Sequence, residues 1–161
     1  MTKTEASEYA PPKEDRPLAG YAGLMTAYSG FVTGLVLLGR RRLPTKINSV
    51  DLAVAVLATH KLSRLLTKDS ITSALRAPLV RYLEPAGAGE VNEEVRVDGP
   101  LHALGELVIC PVCMDVWVGT AFVGGLVVAP RLTRFIASIF SVIALSNVVH
   151  FGWDAVKQSA E

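Results

Sequence analysis

The sequence predicts an all-α integral membrane protein: an N-terminal transmembrane helix, amphipathic membrane-associated helices and a C-terminal transmembrane hairpin. Three observations lead there. Half of the 161 residues are hydrophobic, and the mean hydropathy of +0.37 is high for a soluble domain. Residues 18–39 run without a charge. A second apolar stretch, Val116 to Ala129, is followed at once by another from Leu132 to Trp153. The formal charge of +1 carries no basic excess, so no nucleic-acid partner is expected and the bilayer is the expected environment.

Residues 1–17 are polar, mixed in charge and broken by Pro11, Pro12 and Pro17, and read as a disordered tail. Their late apolar onset is unlike a secretory signal. Residues 18–39 are long enough to cross a hydrocarbon core of about 30 Å as a helix. Arg40, Arg41 and Arg42 close that helix, and Gly30 and Gly34 have the spacing that lets a second helix approach closely.

Residues 47–83 read as an amphipathic helical segment lying on the membrane or against the bundle. The apolar core from Leu52 to Ala58 is short, and Asp51, His60, Lys61 and Arg64 bracket it. Thr59, Ser63 and Thr67 share a polar stripe with His60 and Arg64. Keeping this segment on one side leaves eleven Lys or Arg on the inner face against five outside: Lys3, Lys13, Arg16, Arg131 and Arg134. That asymmetry favours three crossings, with the long basic loop and the Cys-Pro-Val-Cys turn cytoplasmic. A further short helix is expected from Asp69 or Ser70 to Pro78. Residues 84–100, EPAGAGEVNEEVRVDGP, read as a flexible acidic loop, with Val91, Val95 and Val97 only hinting at a strand. Residues 101–156 carry the turn and the hairpin, with Trp117 and Trp153 at one interface and Pro130 and Arg131 at the other. Asn147, His150 and Asp154 fall on one helical face.

ATHKLSRLLTKDSITSALR, Ala58 to Arg76, followed by ELVICPVCMDVWVG, Glu106 to Gly119, resembles the uncharacterised bacterial membrane family of YjcA-like proteins. The resemblance spans Ser49 to Trp153 and rests on the LSRLLTKD block, Arg76, Cys110, Cys113 and Trp117. Met114 and Asp115 stand where many relatives carry glycine. The resemblance implies a multi-pass protein of the bacterial cell membrane, belonging to a domain of unknown function associated with sporulation in bacilli and present in actinobacteria and their phages. It implies no catalytic residues.

The distinctive chemistry lies at Cys110 and Cys113, the chain's two cysteines. They sit at or just before a helix N-terminus, where free amides and the helix dipole favour a thiolate. Three uses are open. A metal, zinc by preference, would need about four sulfur and nitrogen ligands. The candidates are Cys110, Cys113, His102 and His60, or four sulfurs from two copies in a homo-oligomer. The pair could instead cycle between dithiol and disulfide, or simply pack a helix entry. Arg64, Asp69, Arg76 and Glu106 are charges able to dock the amphipathic segment on the hairpin. No phosphate-cradling glycine loop or nucleophile elbow is present. The functional expectation is a non-enzymatic membrane scaffold or interaction module; the alternatives are a membrane thiol oxidoreductase and, from the phage relatives, a holin-like pore.

Overall fold

The computed structural model describes residues 16–87 and 89–160. The expected tail over residues 1–17 therefore lies outside the described residues, except for Arg16 and Pro17. In chain order the elements are α1 (Leu18–Gly39), α2 (Ser49–Thr67), a 3-10 turn (Ser70–Thr72) leading into α3 (Ser73–Arg76), β1 (Val80–Gly87), β2 (Glu90–Val95), α4 (Pro100–Ile109), α5 (Pro111–Val128) and α6 (Pro130–Ala160). Each of the last three helices opens on a proline, whose fixed φ suits a first helical turn and whose missing N–H costs nothing there. Segments in α1, α5 and α6 are long and apolar enough to cross a membrane.

The chain divides into two compact units. One holds the described residues up to Thr33 together with Leu66–Met114; the other holds Gly34–Leu65 together with Asp115–Glu161.

In the first unit the all-α expectation is corrected. Much of the segment read as a flexible acidic loop over residues 84–100 is strand, and β1 and β2 form an antiparallel two-stranded sheet in which Val80 faces Val95 and Tyr82 faces Glu93. Gly87 and Gly89 adopt positive φ of 84° and 81° around the turn, a conformation that only glycine takes at low cost. Val80 and Val91 are buried. A methyl added to Gly105 would collide with Val95, so β2 rests directly on α4. The acidic residues that argued for a solvated loop include Glu93, which is buried against Arg76.

Arg76 is 2% exposed and uses every N–H of its guanidinium. Nε donates to Glu93 at 2.5 Å. Nη1 donates to the Leu66 carbonyl at 2.9 Å and to Thr72 Oγ1 at 2.6 Å. Nη2 donates to the Asp69 carbonyl at 3.1 Å and to Ser73 Oγ at 3.2 Å. One side chain thus ties the end of α2, the 3-10 turn, α3 and the hairpin together. Asp69, one of the two residues expected to open this short helix, makes no side-chain cap hydrogen bond; its backbone carbonyl serves Arg76.

In the second unit α2 lies against both α5 and α6, the second of the two placements expected for it. Thr59 touches the site of Gly119, while Asp51 and Leu126 line one cavity, so α2 and α5 run antiparallel. Asp51 meets Arg134, Val54 meets Ser141 and Lys61 meets Asn147, so α2 and α6 run parallel. Ser63, expected on a polar stripe with Thr59 and Thr67, is fully buried. Ala55 and Ala58 of α2 are buried with it, and the buried residues of α6 are also small, Thr133, Ala137, Ser141 and Ala144, with Ser141 donating to the Val54 carbonyl of α2. Small side chains let helix backbones approach closely.

Val118 and Phe122 of α5 are buried, but most large apolar residues of α6 point the other way. Phe135, Val142, Val148 and Phe151 are between 62% and 67% exposed. A soluble protein would reverse this arrangement. Close approach also occurs where the sequence did not single it out: Gly124 has no room for a methyl beside Leu35, and Gly125 none beside Thr133, whereas Gly30 and Gly34 face open space.

Candidate functional site

α4 ends at Cys110, whose backbone is extended (φ −103°, ψ 103°). Pro111 then begins α5. Cys110 is therefore the N-cap of α5, and its sulfur accepts a hydrogen bond from the Cys113 N–H at 3.2 Å. The Cys110 carbonyl accepts the first helical bond, from Met114 N–H at 3.0 Å. This explains the motif's spacing locally: a proline suited to the first helical position, and an acceptor side chain three residues before an amide that no helical carbonyl reaches. The two Cα atoms are 5.3 Å apart and the sulfurs stand at disulfide distance. Cys113 is exposed and Cys110 partly covered.

One turn earlier on α4, Glu106 gathers a small polar cluster. The Tyr21 hydroxyl donates to its Oε2 at 2.5 Å, Arg16 reaches Oε1 at 3.4 Å, and His102 Nε2 stands 3.7 Å away. The other ring nitrogen of His102 lies 3.0 Å from the Val97 carbonyl. Of the four candidate metal ligands, the structure brings Cys110 and Cys113 together. His102 is engaged with Val97 and Glu106, and His60 is an exposed residue of α2 in the other unit. Among the described residues no group of three or more His, Cys, Asp or Glu is arranged to hold a metal ion. His150 and Asp154 are exposed on the last part of α6.

The Glu106 partners were not legible beforehand. Tyr21 falls near the start of the first uncharged run and Arg16 in the polar tail, and nothing in the spacing links either to position 106. Arg76 pairs with Glu93 of the β-hairpin and Glu106 with Tyr21, Arg16 and His102; neither of these contacts docks the amphipathic segment on the α5–α6 hairpin.

A family described as "Protein of unknown function (DUF1360)" matches residues 54–153. The chain belongs to this family. The matched span contains the cysteine pair, the Arg76–Glu93 pair and most of α2, and falls inside the span of the resemblance drawn from the sequence. No curated protein and no solved structure matches the chain. Family membership names the domain and assigns no reaction to it.

Proposed function

We propose that this is a small multi-pass membrane protein whose Cys110 and Cys113 form a reversible dithiol–disulfide pair on the outer face of the membrane. The observation that carries the reading is the pair itself, at disulfide distance on a helix N-terminus with one sulfur exposed. The N-cap hydrogen bond to Cys110 Sγ and the amides of the first turn stabilise negative charge on sulfur as it attacks or leaves.

Exchange with a partner protein's disulfide balances without another reagent. The Cys113 thiolate attacks one partner sulfur, forming a mixed disulfide and releasing the partner's other sulfur as thiolate. Cys110 then attacks Cys113 Sγ, closing the intramolecular disulfide and releasing the partner's second thiolate. The partner gains the two electrons that the pair loses. The same steps run backwards when a partner dithiol is oxidised.

The outward placement follows from counting α2 as a fourth crossing, which its lengthwise packing on α5 and α6 supports. The two short connections at one membrane face then hold six cations, Arg40, Arg41, Arg42, Lys46, Arg131 and Arg134, with Asp51 as the nearby acid, while eight are spread over the longer segments of the other face and Lys61 and Arg64 lie within α2. Dense cation content in short loops marks the cytoplasmic side. The N-terminus of α5 then opens on the opposite side, where disulfides persist. This differs from the three-crossing count, which places the turn in the cytoplasm.

Labelling of the chain's two cysteines in intact cells tests both parts. A membrane-impermeant maleimide should add nothing to untreated cells and two labels after an impermeant reductant. Labelling only after lysis would overturn the outward placement, and full labelling without reductant would overturn the disulfide.

A further inference from the structure

A cavity of about 420 Å³ in the second unit is lined by Arg42, Lys46, Asn48, Asp51 and Arg134 on its polar side and by Ile47, Leu126 and Val127 on its apolar side. Its three cations face one carboxylate. That carboxylate is already occupied: Arg134 grips Asp51 through Nε at 3.0 and 3.1 Å and through Nη2 at 2.8 Å. Arg42 is steered inward by one hydrogen bond to the Val128 carbonyl at 3.3 Å, which leaves its remaining N–H groups for another acceptor. Lys46 has no acidic partner among the described residues.

A second cavity, of about 160 Å³, adjoins the first and shares Asp51, Leu126 and Arg134 with it. Val50, Val54, Ala55, Thr133 and Ala137 make its walls mostly apolar, between α2, α5 and α6.

We infer that the paired cavities bind an anionic phospholipid, its phosphate between Arg42 and Lys46 and the start of one acyl chain in the crevice beside Ala55 and Ala137. Two unneutralised cations select a phosphodiester. The apolar crevice opening from the same cavity distinguishes a lipid from a free anion, which has nothing to place there. Asp51 holds Arg134 at the junction and repels a second anion from the crevice mouth. The site lies at the cation-rich loops, the end placed in the cytoplasmic leaflet by the topology proposed above, where anionic lipids concentrate. The binding inference does not depend on the cysteine chemistry.

The test uses the full chain purified in a neutral detergent. Native mass spectrometry and thermal unfolding are followed on adding phosphatidylglycerol, phosphatidylcholine or inorganic phosphate. Phosphatidylglycerol should be retained at one per chain and raise the melting temperature, and the other two should do neither. The Arg42→Ala, Lys46→Ala double variant should bind about 30-fold more weakly, from about 1 kcal/mol per cation near a lipid surface. Lys46→Gln alone changes one exposed loop side chain and should give a smaller loss, so the comparison stands even if the double variant folds poorly. An equal shift with inorganic phosphate would overturn the lipid assignment. Equal retention of phosphatidylcholine, or undiminished phosphatidylglycerol binding by Lys46→Gln, would overturn the role of the cations.

Discussion

The two units hold themselves together by opposite means. In the first, a charged side chain is buried and every one of its donors is answered: Arg76 is 2% exposed and its partner Glu93 4%. In the second, the interior is mostly alanine, serine and threonine, with Val118 and Phe122, while most of the large apolar residues of α6 turn outward. The contrast is the one expected if the second unit meets hydrocarbon: water rewards apolar burial and a satisfied polar network, whereas in hydrocarbon an outward leucine costs nothing and close backbone approach distinguishes the folded state.

The largest effect that would sharpen this contrast is Arg76→Ala. It strips Glu93 of its buried partner and should cost about 3–5 kcal/mol in unfolding free energy, with amide exchange accelerating first in the hairpin. Arg76→Met combined with Glu93→Leu should recover most of that loss; a double variant as unstable as the single one would show that the unpaired charge is not the cause. In the second unit, Ala58→Leu should cost about 1–3 kcal/mol by overpacking a site with no free space. Val142→Ala, on the outward face, should stay within about 0.5 kcal/mol in detergent. Equal costs at those two positions would break the comparison.

Smaller effects probe local geometry. Gly87→Ala should cost about 1–2 kcal/mol, because an alanine there must take a left-handed conformation; calorimetric unfolding of the two proteins measures it. Cys110→Ala and Cys110→Ser both remove the disulfide, so their difference isolates the cap. Serine should be the more stable by about 1 kcal/mol in denaturant titration. Asp51→Asn should change the melting temperature least, since Arg134 is more than half exposed and such pairs contribute little.

Much of this molecule was legible in order along the chain. The uncharged runs are helices α1, α5 and α6, because length and hydropathy suffice to mark them. Cys110 and Cys113 stand at a helix start, because Pro111 and the CxxC spacing are local signals. The hairpin was missed for a physical reason: Glu93 looks like solvated charge until Arg76, 17 residues away, is known to meet it. The burial of Ser63 and Thr67, members of the polar stripe on α2, was not legible for a similar reason. Serine and threonine are polar in isolation, but between helices their small size matters more than their hydroxyls.

The sequence by itself determined the three helices of membrane-spanning length and apolarity and the cysteine pair, since each depends on the composition of a contiguous stretch. Only the tertiary structure decided that Arg76 is the tie of one unit, that α2 is packed along α5 and α6, and that Arg42, Lys46 and Arg134 share a cavity. Those facts depend on which distant residues become neighbours. A chain read one position at a time does not contain the distances between them.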